Sequence, residues 1–96
     1  MFSGSVEKAL LEFFSSTTVS AAIADALAEA GKPLTSGQIL TAVREIRRME
    51  EIPLKAIESS LIILSDAEII THSKDGYELS ELGRELVEKL KSYRGA

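Results

Sequence analysis

The chain has no cysteine, no tryptophan and a single histidine among its 96 residues. The lack of cysteine excludes disulfides, thiolate metal sites and a thiol nucleophile together. A zinc site would have to combine His72 with carboxylates alone, which is not a common zinc ligand set. We therefore expect neither a metal ion nor another cofactor.

Groups suited to catalysis are equally scarce. His72 falls on a predicted strand, where a partly exposed structural residue is several times more common than a general base. The glutamates near the end of the chain stand at helical spacing and indicate a solvated helix face rather than an acid/base pair. Gly76 and Gly83 are isolated and form no phosphate-binding loop. The sequence therefore does not predict an enzyme.

Long apolar runs and an excess of positive charge are also missing. No stretch reaches the roughly 18 consecutive apolar residues of a membrane-spanning helix, and the pattern of a secretory signal is absent. These features predict a soluble, cytoplasmic protein. The net charge is −4 at pH 7, whereas a dedicated nucleic-acid binder usually has a basic surface. Any nucleic-acid surface must therefore be local.

The apolar content of 45% in 96 residues predicts one domain with one modest core. We divide the chain into an amphipathic helix within residues 1–17 and a domain over residues 18–96. Ser5 is suited to cap the first helix. Its apolar residues recur at helical spacing, namely Val6, Ala9, Leu10, Phe13 and Phe14.

Within the domain, the polar run at residues 15–18 offers caps for a helix that Gly31 ends and Pro33 keeps from resuming. One apolar stripe follows this helix, formed by Val19, Ile23, Ala26, Leu27 and Ala30. The sequence therefore predicts one apolar stripe on this helix.

The next helix has the clearest start in the chain. Thr35 and Gln38 stand three residues apart as a capping box, and Leu34 can pack on Ile39 as a hydrophobic staple. The inward positions are predicted to be Ile39, Val43 and Ile46, with Leu40 at the margin and the helix end near Arg48.

A further helix is predicted over 53–66, with Pro53 in its first turn. Its inward side should contain Ile57, Ser60, Leu61 and Leu64. Its outward side should contain Lys55, Glu58, Ser59, Ile62 and Asp66. The helix thus presents a mixed charged, polar and apolar face to solvent.

A β-hairpin and a last helix complete the pattern. Strands are predicted at 69–73 and 77–79, with Asp75-Gly76 in the positive-φ conformation of a tight turn. Ser80 is suited to cap the last helix, whose one face combines Leu82, Leu86, Leu90 and Tyr93. The fold class is therefore mostly α with a small antiparallel hairpin.

The run LSDAEIITHSKDGYELSELGRELV resembles the winged helix-turn-helix superfamily, especially small prokaryotic and archaeal regulators related to the PadR, MarR and ArsR groups. The resemblance covers about residues 19–90. It implies that helix 53–66 enters a DNA major groove, and that the wing, 69–79, brings its tip at 74–76 to the phosphate backbone or minor groove. Glu68 departs from the family pattern, which often has glycine there, so a left-handed helix end at this position would be strained.

The resemblance and the charge pattern together give a candidate DNA-binding set. It consists of Arg44, Arg47, Arg48, Lys55, Glu58, Ser59, Ile62 and Lys74. The arginines and lysines would contact phosphates, while Glu58, Ser59 and Ile62 would address base edges. Arginines at a helix C-terminus also offset its dipole without any DNA, which is an equally good explanation for this cluster. An exposed Ile62 would suit a protein groove as well as a thymine methyl group.

The helix within 1–17 is too short to keep its apolar face exposed, so it must pack on something. One possibility is that it covers the core of its own chain. The other is a homodimer with a shared two-fold interface. The candidate interface residues are Val6, Leu10, Phe13, Phe14, Leu86, Leu90 and Tyr93. Related regulators commonly dimerise through terminal helices, which favours the homodimer.

The sequence therefore predicts a DNA-binding transcriptional regulator with double-stranded DNA as its partner. The alternative is a winged helix module that binds a protein partner and no nucleic acid. Fold resemblance favours the first possibility, while the acidic charge favours the second.

Overall fold

The structure, a computed structural model, describes residues 18–47 and 51–95, and the side chains of 19–46 and 51–92. Within these residues the chain forms four helices and two strands. They are α1 (Thr18–Ala30), α2 (Ser36–Arg47), α3 (Leu54–Asp66), β1 (Ile70–Ser73), β2 (Gly76–Leu79) and α4 (Glu81–Gly95). The predicted mostly α fold with a small antiparallel hairpin is confirmed.

Several predictions fall outside this part of the chain. The helix proposed within 1–17, with Val6, Leu10, Phe13 and Phe14, lies outside the described residues, as does Arg48. The side chains of Arg47 and Tyr93 also lie outside them. None of α1 to α4 is long and apolar enough to cross a membrane.

Helix α1 is the central helix of the domain. The five consecutive residues from Ser20 to Ala24 are each at most 3% exposed, and five steps of an α-helix cover its whole circumference. The helix contacts α2, α3, α4 and β2. The predicted single stripe was therefore too narrow, because the small alanines let neighbouring elements pack on every side. Ala30, placed in that stripe, is exposed.

Local signals define the ends of α1 and the start of α2. Gly31 ends α1 in the left-handed conformation, with φ +65°. The capping box is confirmed: the amide of Thr35 donates to Oε1 of Gln38 at 2.9 Å, and the amide of Gln38 donates to Oγ1 of Thr35 at 3.2 Å. Each bond satisfies a backbone N–H that has no partner within the helix.

The inward face of α2 is shorter than predicted. Ile39 and Val43 are fully buried, and Leu40 lies at the margin as expected. The prediction for Ile46 was wrong, because its side chain is 40% exposed. Ile46 lines an open cleft beside Glu29 and Ala30 of α1.

Helix α3 is held by one apolar side. Ile57, Leu61 and Leu64 are at most 1% exposed, as predicted, while Ser60 is only half-buried. Pro53 is the extended N-cap residue, with φ −81° and ψ 153°, and not part of the first turn. A fixed proline φ suits both positions, so the sequence did not distinguish them.

Helix α3 ends in a Schellman motif. The amide of Glu68 donates to the carbonyl of Ser65 and the amide of Ile69 to that of Leu64, each at 3.0 Å. Glu68 has φ +62°. The left-handed end therefore forms even though a glutamate occupies the position. Such a conformation costs a residue with a side chain about 1–2 kcal/mol.

Replacing Glu68 by glycine is expected to stabilise the protein. Glycine removes the left-handed strain but loses about 0.5–1 kcal/mol more chain entropy on folding, so the net gain should be about 0.5–1 kcal/mol. Thermal denaturation of Glu68→Gly measures it. The matched control is Ala67→Gly, whose φ of −83° requires no glycine and which should lose stability. A loss of stability in both variants would contradict this expectation. It would show that the Glu68 side chain stabilises the fold by more than its left-handed backbone conformation destabilises it.

The hairpin turn lies one residue earlier than predicted. Ser73 pairs with Gly76 and His72 with Tyr77 in the antiparallel register, so Lys74 and Asp75 are the two turn residues. Asp75 does not have the predicted positive φ, because Glu68 is the only non-glycine residue with one in the described ranges. Instead, Oγ of Ser73 accepts from the amide of Asp75 at 3.2 Å. This local bond supports a turn without positive φ at its centre.

Leu34 adds a third strand-like segment to the hairpin. Its amide donates to the carbonyl of Tyr77 at 2.9 Å, and its carbonyl accepts from the amide of Tyr77 at 2.7 Å. The sequence did not predict this bridge, because one isolated residue has no strand periodicity. The hairpin is thereby attached to the connection between α1 and α2.

Ser80 joins the end of α3 to the start of α4. Its Oγ accepts from the amide of Gly83 at 3.0 Å, which confirms it as the N-cap residue. The same hydroxyl lies 2.6 Å from the carbonyl oxygen of Glu68 and 2.9 Å from that of Ile69. The amide of Ser80 also donates to Ile69 at 3.0 Å.

The inward face of α4 combines Leu86, Val87 and Leu90, at 2%, 4% and 3% exposure. Leu82 was predicted on this face but is 39% exposed. Val87, which was not predicted on this face, is buried there instead. Leu86 and Leu90 are thus core residues of a single chain and offer almost no surface to a second copy.

Candidate nucleic-acid interface

The outward face of α3 is free of the core along its length. Its inward residues anchor the helix, and the Schellman motif fixes its end, so the remaining positions are directed to solvent. The predicted outward residues are all exposed, namely Lys55, Glu58, Ser59, Ile62 and Asp66. We call this set the α3 face. It presents one cation, two carboxylates, one hydroxyl and one apolar side chain.

Two adjacent isoleucines give the α3 face an apolar ridge. Ile62 is 63% exposed and Ile63 is 52% exposed. Only Ile62 was singled out from the sequence. Residues 61–64 are four consecutive apolar residues, and a helix with one inward stripe can bury only part of such a run. That reasoning would have identified Ile63 as well.

The hairpin presents a cation and an aromatic stack. Lys74 is exposed in the two-residue turn. The rings of His72 and Tyr77 are stacked across the two strands, with centroids 4.0 Å apart and planes 4° from parallel. His72 is exposed, as expected for a structural strand residue. The stack and the bonds between Tyr77 and Leu34 hold the hairpin in one orientation.

Arg44 has a structural contact that the sequence did not reveal. Its Nη2 donates to the carbonyl of Ile52 at 2.9 Å, which ties the end of α2 to the residue before the N-cap of α3. A guanidinium has five N–H groups, so others remain for a second partner. The predicted phosphate contact of Arg44 stays a prediction, for a side chain that also has this structural role. Its charge nevertheless lies close to the start of α3.

Negative charge predominates near the α3 face. From residue 54 to residue 79 the chain carries two lysines, Lys55 and Lys74, and five carboxylates. The carboxylates are Glu58, Asp66, Glu68, Asp75 and Glu78. Glu78 lies 4.0 Å from Arg84 of α4, an exposed pair of small energetic value. Phosphate contacts on this face thus depend on few cations.

No metal centre accompanies this surface. Among the residues that the structure describes, no three histidine, aspartate or glutamate side chains come together in a way that could hold a metal ion. Comparisons with protein families, curated proteins and solved structures find no match to this chain. Its function must therefore be inferred from its own residues.

Proposed function

We propose that this chain is a winged helix-turn-helix domain that binds double-stranded DNA through the α3 face, with the hairpin as its wing. The observation that carries the proposal is the α3 face itself, which is exposed along a helix whose opposite side is fully buried. The order of three helices, hairpin and helix supports it. So does the attachment of the hairpin to Leu34.

In this proposal, charge positions the domain and the α3 face reads the sequence. Lys55 at the start of α3 and Lys74 in the turn contact phosphates, as do the arginines at 44, 47 and 48. Ser59 and Glu58 meet base edges, and Ile62 meets a thymine methyl group. Five cations allow at most about five phosphate contacts, so the logarithmic salt slope is no steeper than roughly −4.5.

Duplex binding as a function of salt concentration tests the proposal. Lys55→Ala and Lys74→Ala should each weaken binding to all duplexes and reduce the slope by about one, because each removes one phosphate contact. Ser59→Ala or Ile62→Ala should instead change the preference among sequences by about 1 kcal/mol. Fluorescence anisotropy at several salt concentrations measures both effects.

The matched control is Lys91→Ala, which removes the same charge from exposed α4. It should leave the slope unchanged. Arg44→Ala is a poor probe, since it also removes the bond to Ile52. If no duplex binds even at low salt, the DNA proposal is wrong.

A second candidate function is binding of a protein partner by the same face, and the exposed pair Ile62 and Ile63 favours it. Adjacent exposed isoleucines supply apolar area that phosphate contacts do not need. If the partner is a protein, the parent chain does not bind duplex DNA, and Lys55→Ala and Lys74→Ala cause no change in DNA affinity. Ile62→Asp would then abolish capture of a protein partner from cell extract, whereas Lys91→Asp would not.

A further inference from the structure

Four residues of the α3 face form a narrow stripe along the helix. We call them the α3 stripe, and they are Lys55, Ser59, Ile62 and Asp66. Successive members are four, three and four residues apart, which is the spacing of the contact seam in a coiled coil. All of these side chains are exposed, while the opposite side of α3 packs against α1, α2 and β1. The stripe is therefore open to a second helix along its length.

The two ends of the stripe have opposite charges. Lys55 lies in the first turn of α3 and Asp66 is its last residue, about 16 Å further along the axis. Among the residues that the structure describes, neither side chain forms an ion pair within its own chain. Each charge is therefore available to a partner.

Both charges are also at the unfavourable end of their own helix. The N-terminus of a helix has a partial positive charge and the C-terminus a partial negative charge, so a lysine is disfavoured in the first turn and an aspartate in the last. Helix α3 has no acidic residue in its first turn and no basic residue in its last turn to offset this. An antiparallel partner helix would reverse the effect, because each charge would lie beside the opposite end of that helix.

We propose that a second copy of this chain packs on the α3 stripe, with the two α3 helices antiparallel about a two-fold axis midway between residues 60 and 61. Lys55 of each copy then lies beside Asp66 of the other copy. By the same symmetry, Ser59 of each copy lies beside Ile62 of the other. The stripe is thus complementary to itself, as a two-fold interface requires.

The apolar residues of the α3 face gain cover in this arrangement. Ile62, at 63% exposure, lies within the stripe, and Ile63, at 52% exposure, flanks it. Leu86 and Leu90, which were expected in a dimer interface, are at most 3% exposed and offer almost no apolar surface to a second copy. Two helices of 13 residues bury a small area, below about 1,200 Å², so the dimer should be transient.

Self-association of this kind would compete with the proposed function. Lys55, Ser59 and Ile62 are also the residues proposed to contact DNA, so a chain within the dimer could not use them on a duplex. The inference depends on the exposed α3 face and not on DNA binding. The dimer can therefore be tested without DNA.

Charge reversal at the two ends of the stripe tests the pairing. Sedimentation equilibrium of the full-length chain, up to about 1 mM to detect a weak complex, should show the parent associating to twice the mass of one chain. Lys55→Asp brings two carboxylates together at each end of the interface, and Asp66→Lys brings two lysines together. Each variant alone should associate roughly tenfold more weakly or not at all. Circular dichroism establishes that both variants are folded.

The two variants should associate with each other when they are mixed in equal amounts. Both ends of the mixed dimer again pair a carboxylate with a lysine, so its mass should return to that of the parent dimer. Lys91→Asp is the matched control, because it makes the same charge change on exposed α4 and should leave the association unchanged.

Three results would overturn the proposal. The first is a parent chain that remains a monomer over the whole concentration range. The second is association that persists unchanged in Lys55→Asp and Asp66→Lys, since the copies would then meet through another surface. The third is failure of the mixture to recover the dimer. A failure of duplex binding would contradict the proposed function alone, so the two failures are distinguishable.

Discussion

Gly76→Val is expected to destabilise the domain by about 3 kcal/mol or more, which combines backbone strain with a steric clash. Gly76 has φ +128°, a conformation that a β-branched residue adopts very rarely. A Cβ atom at this position would lie 2.5 Å from the carbonyl oxygen of Leu34 and 2.6 Å from its carbonyl carbon. Both atoms belong to the backbone, so no side chain can rotate out of the way.

The clash also breaks the bridge between Leu34 and Tyr77, because the two strand segments must separate to admit the new side chain. A loss of this size corresponds to a fall in melting temperature of roughly 12–24 °C for a domain of this length. Thermal denaturation measures the fall, and the amide chemical shift of Tyr77 reports on the bridge.

Gly31→Val is the matched control. Gly31 also has a positive φ, +65°, but nothing lies within 4 Å of its added Cβ. Gly31→Val should be destabilised by backbone strain alone, which is about 1–3 kcal/mol. The difference between the two variants isolates the contact with Leu34. Equal losses, or an unchanged Tyr77 amide shift in Gly76→Val, would contradict the proposed role of the bridge.

Gly83→Ala is expected to lower stability by about 2–4 kcal/mol, through the clash and the hydrogen bonds lost with it. The result would be opposite to helix propensity, since alanine in a helix is normally about 1 kcal/mol better than glycine. The added Cβ would collide with the carbonyl oxygen of Ile69. That oxygen accepts the amide of Ser80 at 3.0 Å, so the first turn of α4 cannot move without losing its connection to α3.

Gly37→Ala is the matched control, because its expected change in stability has the opposite sign. Gly37 is also helical, and nothing lies within 4 Å of its added Cβ, so this variant should follow propensity and gain stability. Chemical denaturation of both variants measures the two changes. A gain of stability in Gly83→Ala would mean that the helices α3 and α4 are not as closely joined as the structure describes.

Local sequence signals predicted the parts of the fold that depend on neighbouring residues. The capping box at Thr35 and Gln38, the stop at Gly31 and the cap at Ser80 each involve groups within four residues. Their chemistry is complete within one turn of chain. The same holds for the α3 face, because helical periodicity alone separates its outward positions from Ile57, Leu61 and Leu64.

Features that depend on distant residues were missed. The contact between Leu34 and Tyr77 joins segments 43 positions apart in the sequence, and no local pattern encodes it. Helical periodicity placed Ile46 and Leu82 on inward faces, but both side chains are exposed, because burial also depends on which distant elements pack there. In the candidate interface, the bond from Arg44 to Ile52 crosses the connection between α2 and α3. The hairpin turn was misplaced by one residue because Asp-Gly is a strong turn signal wherever it occurs.

The bridge at Leu34 has a consequence for the motions of the hairpin. A two-stranded hairpin alone is marginally stable in water and opens readily. Here its second strand is hydrogen-bonded on the other side to the connection between α1 and α2. Opening of the hairpin must therefore also break these two bonds and separate Tyr77 from the connection between α1 and α2. We expect the hairpin to exchange its amide hydrogens more slowly than an isolated hairpin does, because its opening is coupled to that of the helical core.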